Sequence, residues 1–341
     1  MMNTEVAPPK PRVVALLTPE IRSKVLDRSA VNTLGEVADV VFPDERGMSP
    51  EMLPPLLAGA SALLTGWHTP HLNHELLAQS GVRFVAHSAG SVKKLLPLNV
   101  IESGEIRVSH SASDIAVAVA EFVLAQILMH LREPHLYNAG LKSGEDWWEL
   151  RSRHLGRLLA AQTVGIVGAG YVGRLVIALV RAFGSKILVA DPFLTKERAV
   201  ELGVERADLD SLCARSDIIS LHAPVLPETE GMIGPAQFAA MRRGTLFVNS
   251  ARAALVDEEA LIAVLQEGRI SAALDVFAEE PLKEDSPFLK LDNVLIAPHG
   301  SGHSADSYLR QGATAVDEIV RFLSGAPLRH EITPAMLKTM G

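Results

Sequence analysis

Short runs of aliphatic and β-branched residues alternate along the chain with longer stretches that carry one apolar face. Within the first 110 residues these runs span 12–17, 38–42, 61–66, 82–88 and 106–110. The stretches between them carry a proline near their start, which the first turn of a helix tolerates. Three such stretches span 19–30, 50–57 and 70–79. Strands that alternate with helices predict parallel βα units, and hence a small parallel sheet covered by helices.

A second series of apolar runs follows later in the chain with the same spacing. Its six members span 163–170, 186–191, 217–224, 245–250, 270–276 and 293–298. Six strands at this spacing predict a second, doubly wound parallel sheet. A long helix is predicted over 304–323, near the end of the chain.

The two series are joined by residues of a different character. Residues 114–131 are apolar nearly all round, which predicts a helix packed on more than one side, with Ser111 or Ser113 as its N-cap. Residues 133–160 are rich in charges and include the adjacent Trp147 and Trp148. We interpret this stretch as an arm. Its tryptophans have two alternative roles, contact with a second subunit or burial against their own chain.

Composition narrows the class of protein. A length of 341 residues suits two domains, and 48% hydrophobic with 21% charged residues suits a folded chain. The net charge of -8 disfavours nucleic acid as a partner. Cys213 is the single cysteine, so we expect no disulfide and no thiolate metal site. The N-terminus lacks a signal-peptide core and no apolar run reaches the ~18 residues that span a bilayer. We therefore expect a soluble, cytoplasmic protein without membrane contact.

A glycine motif marks the start of the second series. Gly168, Gly170 and Gly173 form G-x-G-x-x-G between an apolar strand and an amphipathic helix. The first glycine permits a tight turn, the second lets the backbone approach a pyrophosphate, and the third allows close packing of helix on strand. The motif alone is weak evidence, since glycines often mark ordinary turns. The next strand, however, ends at Asp191, where a carboxylate would accept hydrogen bonds from the adenosine ribose.

These features predict a dinucleotide site that takes NAD. A carboxylate at Asp191 would repel the 2′-phosphate of NADP, and Pro192 and Phe193 follow it in place of an arginine. Asp191 also suits a helix N-cap or a turn, and Lys196 or Arg198 is near enough in sequence to reach a phosphate. NADP therefore stays the alternative cofactor.

Three charged or titratable residues follow late strands of the second series, namely Arg252, Glu280 and His299. The carboxyl ends of parallel strands form the ligand edge of such a sheet. Arg252 could bind the carboxylate and carbonyl oxygen of a 2-oxo acid through its planar fork, and His299 could donate a proton to the developing alkoxide. Glu280 on the other ring nitrogen would orient the imidazole and favour its charged form. Each residue alone is more often structural, so their joint placement carries the hypothesis.

Five segments of the second series stand in an order that is highly specific. They are VGIVGAGYVGRLV, LHAPVLPETEGMIG, MRRGTLFVNSARAALVDEEAL, ISAALDVFAEEPL and NVLIAPHGSG. In them the chain resembles the D-isomer-specific 2-hydroxyacid dehydrogenase family. The resemblance implies that Arg252, Glu280 and His299 are catalytic. It also implies a Rossmann-type NAD-binding domain over 111–300, a flavodoxin-like, split substrate-binding domain over 1–110 and 301–341, and a homodimer formed through the arm.

The chain departs from the family in the loop after the fourth strand, which runs HSAGSVKKLLP. The backbone amides of Ala89, Gly90 and Ser91 can still hold a substrate carboxylate. Trp67, His68 and His87 follow strands of the first series and could line the substrate side, although packing under a loop explains each of them as well. We assign Trp67 to the substrate side. Lys93 and Lys94 could attract a second acidic group, although a solvated helix face is the simpler interpretation. Ala253 replaces a glycine that usually follows the arginine in this family.

The sequence thus predicts hydride transfer between nicotinamide and C2 of a D-2-hydroxy or 2-oxo acid, without a metal. Further cofactor contacts are assigned to Tyr171, Val172, His222, Pro224, Thr229, Ser250, Ala251 and Asp275. The alternative from another class is an NAD-binding corepressor or scaffold on the same fold. A formate-type or phosphonate-type dehydrogenase is a nearer alternative; glutamine instead of glutamate is typical of the formate members. Since the sequence ends at Gly341, we expect no added ligand-sensing domain.

Overall fold

The computed structural model describes residues 9–44, 46–337 and 340. Residues 1–8, to which part of the expectation about a signal peptide refers, lie outside them. The described chain divides into two compact units. The first comprises residues up to Ile115 together with Ser304–Met340, and the second comprises Ala116–His303.

The first unit contains a parallel sheet of five strands in the order β2-β1-β3-β4-β5. The strands are β1 (Arg12–Leu16), β2 (Asp39–Val41), β3 (Ala62–Thr65), β4 (Phe84–His87) and β5 (Arg107–His110). Alternate side chains of β1 enter two different apolar clusters, Val14 and Leu16 in one and Val13 and Ala15 in the other. Both faces of the sheet are therefore covered, which explains why β1 and β3 are apolar over most of their length.

The second unit contains a parallel sheet of seven strands in the order β12-β11-β10-β9-β6-β7-β8. The strands are β6 (Thr163–Val167), β7 (Lys186–Ala190), β8 (Glu205–Arg206), β9 (Ile218–Leu221), β10 (Leu246–Asn249), β11 (Ser271–Leu274) and β12 (Val294–Ile296). The strand order reverses between β6 and β9, which is where a doubly wound sheet opens a crevice for a ligand. The prediction of two doubly wound parallel sheets is confirmed.

Helices cover both sheets. They are α1 (Pro19–Val25), α2 (Arg28–Val37), α3 (Leu53–Leu57), α4 (His74–Ser80), α5 (Leu98–Glu102), α6 (Ala112–Arg132), α7 (Pro134–Lys142), α8 (Trp147–Arg153), α9 (Tyr171–Ala182), α10 (Lys196–Leu202), α11 (Leu209–Arg215), α12 (Pro235–Ala240), α13 (Glu258–Gln266), α14 (Ala305–Ser324) and α15 (Pro334–Leu337). Short 3-10 turns lie at Arg46–Met48, Leu159–Ala161, Ala253–Leu255 and Pro287–Lys290. The predicted C-terminal helix is α14, which packs Val316 and Ile319 into the core of the first unit.

Several local predictions need correction. Residues 19–30 form two helices, because Asp27 caps α2 by accepting a hydrogen bond from the Ala30 amide at 2.7 Å. The helix expected over 70–79 begins only at His74, where the Asn73 side chain caps it. Ser113 lies inside α6 and is not its N-cap. The sequence also missed β8, whose two residues, Glu205 and Arg206, are polar and exposed.

Helix α6 also corrects the expectation that no apolar run is long enough to span a bilayer. It is long and apolar enough to cross a membrane by length and composition alone, so the prediction that no run reaches this length was wrong. The prediction failed because Asp114 and Glu121 interrupt the run of apolar residues in the sequence, whereas the helix continues through both of them. Val123, Ile127 and Leu131 are buried in the fold, and the core helix of a soluble protein meets the same criterion.

Candidate active site

Three predicted catalytic residues follow three neighbouring strands of the second sheet. Arg252 comes after β10, Glu280 after β11 and His299 after β12. These strands are adjacent and parallel, so their carboxyl ends lie along one edge. The three side chains therefore emerge at the edge where open α/β sheets bind ligands.

Glu280 and His299 form a hydrogen-bonded pair. Nδ1 of His299 lies 2.7 Å from Oε2 of Glu280. The other carboxylate oxygen, Oε1, accepts a hydrogen bond from the Phe277 amide at 3.0 Å, which prevents the carboxylate from turning away. Since Nδ1 is engaged, Nε2 is the ring nitrogen left to meet a reacting oxygen.

The pKa of Glu280 is lowered from its ordinary value. Partial burial by itself would raise this pKa, but the hydrogen bonds from His299 and from the Phe277 amide, with the charge of Arg252, outweigh burial. The carboxylate is therefore ionised at neutral pH, as needed to hold an imidazolium. The charge of Arg252 contributes to this lowering of the Glu280 pKa.

Arg252 is exposed and its backbone is held by a neighbour that the sequence analysis missed. Asn249, buried at the end of β10, donates to the Arg252 carbonyl at 3.0 Å and accepts from the Ala251 amide at 3.0 Å. The guanidinium donates one hydrogen bond, from Nη1 to the Ala251 carbonyl at 2.7 Å. Arginine has five such donors, so among the described residues most of them stay available to an anionic ligand.

The backbone of His299 adopts a left-handed conformation, with φ 51°, which residues other than glycine rarely adopt. Asp275 stabilises the loop that follows. Its carboxylate is fully buried and accepts hydrogen bonds from the amides of Gly300 at 2.7 Å and Ser301 at 2.9 Å. The predicted contact of Asp275 with a cofactor stays a prediction.

The glycine loop between β6 and α9 fits a dinucleotide. A Cβ atom on Gly173 would lie 2.0 Å from the Gly168 carbonyl oxygen, so only glycine allows this approach. Gly168 has φ 91°, and a Cβ there would also press on the backbone of His222 and Ala223. A Cβ on Gly170, in contrast, would meet nothing within 4 Å. Gly170 thus faces open space at the N-terminus of α9, where a pyrophosphate is expected to bind.

Asp191 lies directly after β7, next to this loop. Its Oδ2 accepts a hydrogen bond from the Ala169 amide at 2.7 Å and its Oδ1 from the Phe193 amide at 2.8 Å. Asp191 therefore serves as a turn residue, and its remaining acceptor positions are left for ribose hydroxyls. Arg198, a candidate for binding the phosphate of NADP, instead pairs with Glu201 at 2.5 Å.

In the first unit, the loop after β4 presents a row of amides. In the described part of the chain, the N–H groups of Ala89, Gly90 and Ser91 have no hydrogen-bond partner. Their carbonyls are held instead, because Ala89 accepts from the Ser111 amide at 2.9 Å and Gly90 from Nδ1 of His110 at 3.1 Å. Backbone amides without partners are donors that can bind an anion such as a carboxylate.

Comparison with known proteins agrees with this geometry. Residues 124–301 match the model of the D-isomer specific 2-hydroxyacid dehydrogenase, NAD binding domain. This match spans more than half of the chain. The chain belongs to the D-isomer specific 2-hydroxyacid dehydrogenase family.

Several relatives in this family have curated names. D-3-phosphoglycerate dehydrogenase of Methanocaldococcus jannaschii is 34% identical over 302 residues, which are 88% of this chain and 56% of the relative. Glyoxylate reductase of Aeropyrum pernix is 36% identical over 226 residues, or 64% of this chain and 67% of the relative. A phosphoglycerate oxidoreductase from Rhizobium etli has a similar structure, with a TM-score of 0.79 and 26% identity over 94% of this chain and 97% of that one. The chain spans about half the length of the phosphoglycerate dehydrogenases that it matches.

The other predicted cofactor residues of this family member lie on loops of the second unit. His222 follows β9, and burial lowers its pKa to about 4, so the ring is neutral. Thr229 donates to the Pro224 carbonyl at 2.6 Å and thereby closes the turn between them. Ser250 is buried near Gln126, with Oγ and Oε1 3.4 Å apart. Their contacts with a cofactor stay predictions.

Around the glycine loop, Tyr171 and Val172 form the first turn of α9, and the ring of Tyr171 is exposed. Sequence analysis missed Arg174, whose Nε donates to the Gly170 carbonyl at 3.1 Å and whose guanidinium lies 6.0 Å from the Tyr171 ring centre. Arg174 brings a positive charge to the end of the helix where a pyrophosphate would bind. Its position four residues after Gly170 in a predicted helix was a usable signal.

On the predicted substrate side, Trp67 and His87 have different environments. Trp67, just after β3, is 43% exposed and available to a ligand. His87 is buried with Nδ1 3.0 Å from the Thr65 hydroxyl, and burial lowers its pKa to about 4. His87 is therefore a neutral packing residue, which was one of its two alternatives. In the described chain, no group of three His, Cys, Asp or Glu side chains is arranged to hold a metal ion.

Proposed function

We propose that this protein is an NAD-dependent oxidoreductase that interconverts a D-2-hydroxy acid and the corresponding 2-oxo acid. The observation that supports this most strongly is the 2.7 Å contact between Nδ1 of His299 and Oε2 of Glu280 at the ligand edge of a dinucleotide-type sheet. A carboxylate-backed imidazole is the acid-base group that reduction of a carbonyl requires.

When bound, the nicotinamide supplies the hydride for reduction and accepts it in oxidation. In reduction, the imidazolium of His299 donates the proton on Nε2 to the oxygen at C2, and Glu280 keeps the ring oriented. Arg252 stabilises the negative charge that develops on that oxygen and binds the carboxylate beside it. In oxidation, neutral His299 takes the proton back. In the first unit, we propose that the amides of Ala89, Gly90 and Ser91 bind a carboxylate.

The proposal is tested by incubating the protein with NADH and one of a series of 2-oxo acids: glyoxylate, hydroxypyruvate, pyruvate or a bulkier acid. Oxidation of NADH is measured as the loss of its absorbance. We expect turnover with at least one of these acids, and the reverse reaction with only the D-enantiomer of the product. If the protein binds NADH tightly but turns over none of the acids, the oxidoreductase proposal fails and a corepressor or scaffold role is favoured.

We further propose that NAD is preferred over NADP, because Asp191 keeps acceptor positions for ribose hydroxyls and Arg198 is paired with Glu201. Replacing Asp191 by asparagine removes the charge but keeps one oxygen for the loop. The ratio of kcat/KM for NADH to that for NADPH is expected to fall about tenfold or more. Asp208→Asn is the control: it makes the same replacement at the N-cap of α11 and should leave the ratio unaltered. An unaltered ratio in Asp191→Asn would mean that another residue discriminates the two cofactors.

The family resemblance and the arm together support a homodimer as a proposal. Both tryptophans of α8 are exposed on their own chain, Trp147 by 60% and Trp148 by 67%, and Leu155 nearby is 92% exposed. Burial of the tryptophans against their own chain, one of the two alternatives from sequence, is therefore wrong. Exposed apolar side chains grouped in this way are typical of a surface that a partner covers.

Light scattering on the purified protein is expected to give twice the chain mass of 36.6 kDa. The double replacement Trp147→Ser, Trp148→Ser should shift the protein towards the monomer, because these rings would be the main apolar contact. Phe193→Ser is the control, since Phe193 is also 73% exposed but lies outside the arm. A dimer that persists in the double variant at the same concentration would place the interface elsewhere.

A further inference from the structure

A cavity of about 450 Å³ lies beside the Glu280–His299 pair, within the second unit. It is lined by Phe277, Glu280, Pro281, Leu282, Ile296, Ala297, Pro298 and His299. Its size is within the range of small-molecule sites, about 300–1,000 Å³. None of the sequence predictions assigned a role to Phe277, Leu282 or Ile296.

The residues that line this cavity are mostly apolar, unlike those of a site that binds an acidic group. Six of the eight lining residues are apolar, and neither lysine nor arginine is among them. A phosphate or second carboxylate placed there would lose its hydration with no lysine or arginine in the wall to bind it, and it would face the ionised Glu280. An aliphatic or aromatic group, in contrast, would gain from leaving water.

The walls are also held in place. The amide of Phe277 donates to Oε1 of Glu280 at 3.0 Å, and the ring of Phe277 lies 5.5 Å from the ring of buried Phe288. Phe277 is therefore anchored from behind and does not fill the cavity. Ile296, at the end of β12, keeps 41% of its surface exposed, so apolar area remains for a ligand to cover.

We infer that this cavity receives the side chain of the substrate, and that the substrates are 2-oxo and 2-hydroxy acids with a branched aliphatic or aromatic side chain. The inference rests on the proposed function, since the same His299 forms part of the cavity wall and serves the reacting oxygen. It separates this protein from relatives that are named for a phosphorylated acid, such as the D-3-phosphoglycerate dehydrogenases.

The experiment compares four acids with the purified protein and NADH: glyoxylate, 2-oxo-4-methylpentanoate, phenylpyruvate and 3-phosphohydroxypyruvate. Glyoxylate has no side chain and reports on the chemistry alone. We expect kcat/KM for phenylpyruvate or 2-oxo-4-methylpentanoate to exceed that for 3-phosphohydroxypyruvate at least about tenfold, the discrimination that an apolar pocket commonly provides.

Ile296→Trp fills the cavity and tests where the side chain lies. The ratio of kcat/KM for phenylpyruvate to that for glyoxylate should fall at least about tenfold, because the ring loses its space. Leu282→Trp fills the same cavity from a second residue. It provides an independent test if the Ile296→Trp variant does not fold. Leu289→Trp is the matched control, since Leu289 is an exposed leucine outside the cavity. It should keep the ratio of the unmodified protein.

The outcomes separate the two proposals. If the unmodified protein reduces glyoxylate but prefers 3-phosphohydroxypyruvate, or if both cavity variants fold and leave the ratio unaltered, the cavity inference is overturned and the proposed function stands. If none of the four acids, glyoxylate included, is reduced, the proposed function fails and the inference falls with it.

Discussion

His299→Gln is expected to lower kcat for reduction of a 2-oxo acid by about 10²–10⁴, the usual contribution of a positioned acid-base group. Glutamine retains a polar group near the position of Nε2, but an amide does not donate its proton to an alkoxide at neutral pH. The dissociation constant of NADH should change little, because the glycine loop and Asp191 lie on other strands of the sheet. Rapid-quench or steady-state kinetics would measure kcat, and NADH fluorescence would measure binding.

Two controls make this result specific. His74→Gln replaces an exposed histidine of the first unit and should leave kcat unaltered. Thermal unfolding of His299→Gln should stay close to that of the unmodified protein, because the His299 side chain is half-exposed. Unchanged kcat in a folded His299→Gln variant would remove this residue from the mechanism.

The pH dependence should follow from the same pair. The pKa of Glu280 is lowered, so its ionised form is present through the neutral range and is lost only when the pH falls through that lowered pKa. Protonation of Glu280 would remove the charge that holds the imidazolium, so the rate of reduction should fall as the pH falls through that lowered pKa. A rate of reduction that does not change as the pH falls through that pKa would contradict the role of Glu280.

Arg252→Ala is expected to lower kcat/KM about a thousandfold, with KM raised and kcat reduced together. The guanidinium would make charge-assisted hydrogen bonds to both the substrate carboxylate and the oxygen that becomes negative, so its loss affects binding and the transition state. The backbone should keep its course, because Asn249 holds the turn through main-chain atoms that alanine also has.

Arg252→Lys distinguishes charge from geometry. Lysine keeps the positive charge but not the planar fork, so it should recover only part of the lost activity. Arg243→Ala, which removes an exposed arginine on the loop before β10, is the control and should behave like the unmodified protein. If Arg252→Ala raises KM and leaves kcat unaltered, Arg252 binds the ground state and transition state equally, and its proposed role in catalysis is wrong.

Particular residues show why some of the structure could be predicted and some could not. All strands except β8 were found, because parallel strands buried on both faces are mostly apolar, as in β1 and β9. Strand β8 is polar and only two residues long, and it joins the sheet through pairing with β7. Its sequence therefore lacks the apolar pattern of a buried strand. The break between α1 and α2 depends on one side-chain cap at Asp27, which the apolar periodicity of 19–30 does not reveal.

The sequence alone determined the two parallel α/β sheets, the glycine loop and the order of Arg252, Glu280 and His299 along the second sheet. These follow from residues close together in the chain and from the rule that parallel strands end at a common edge. Only the tertiary structure decided that Asp275 holds the loop after His299, that Asn249 holds Arg252, and that an apolar cavity adjoins the pair. These features depend on contacts between side chains of loops that are far apart in the sequence, and local sequence patterns do not predict such contacts.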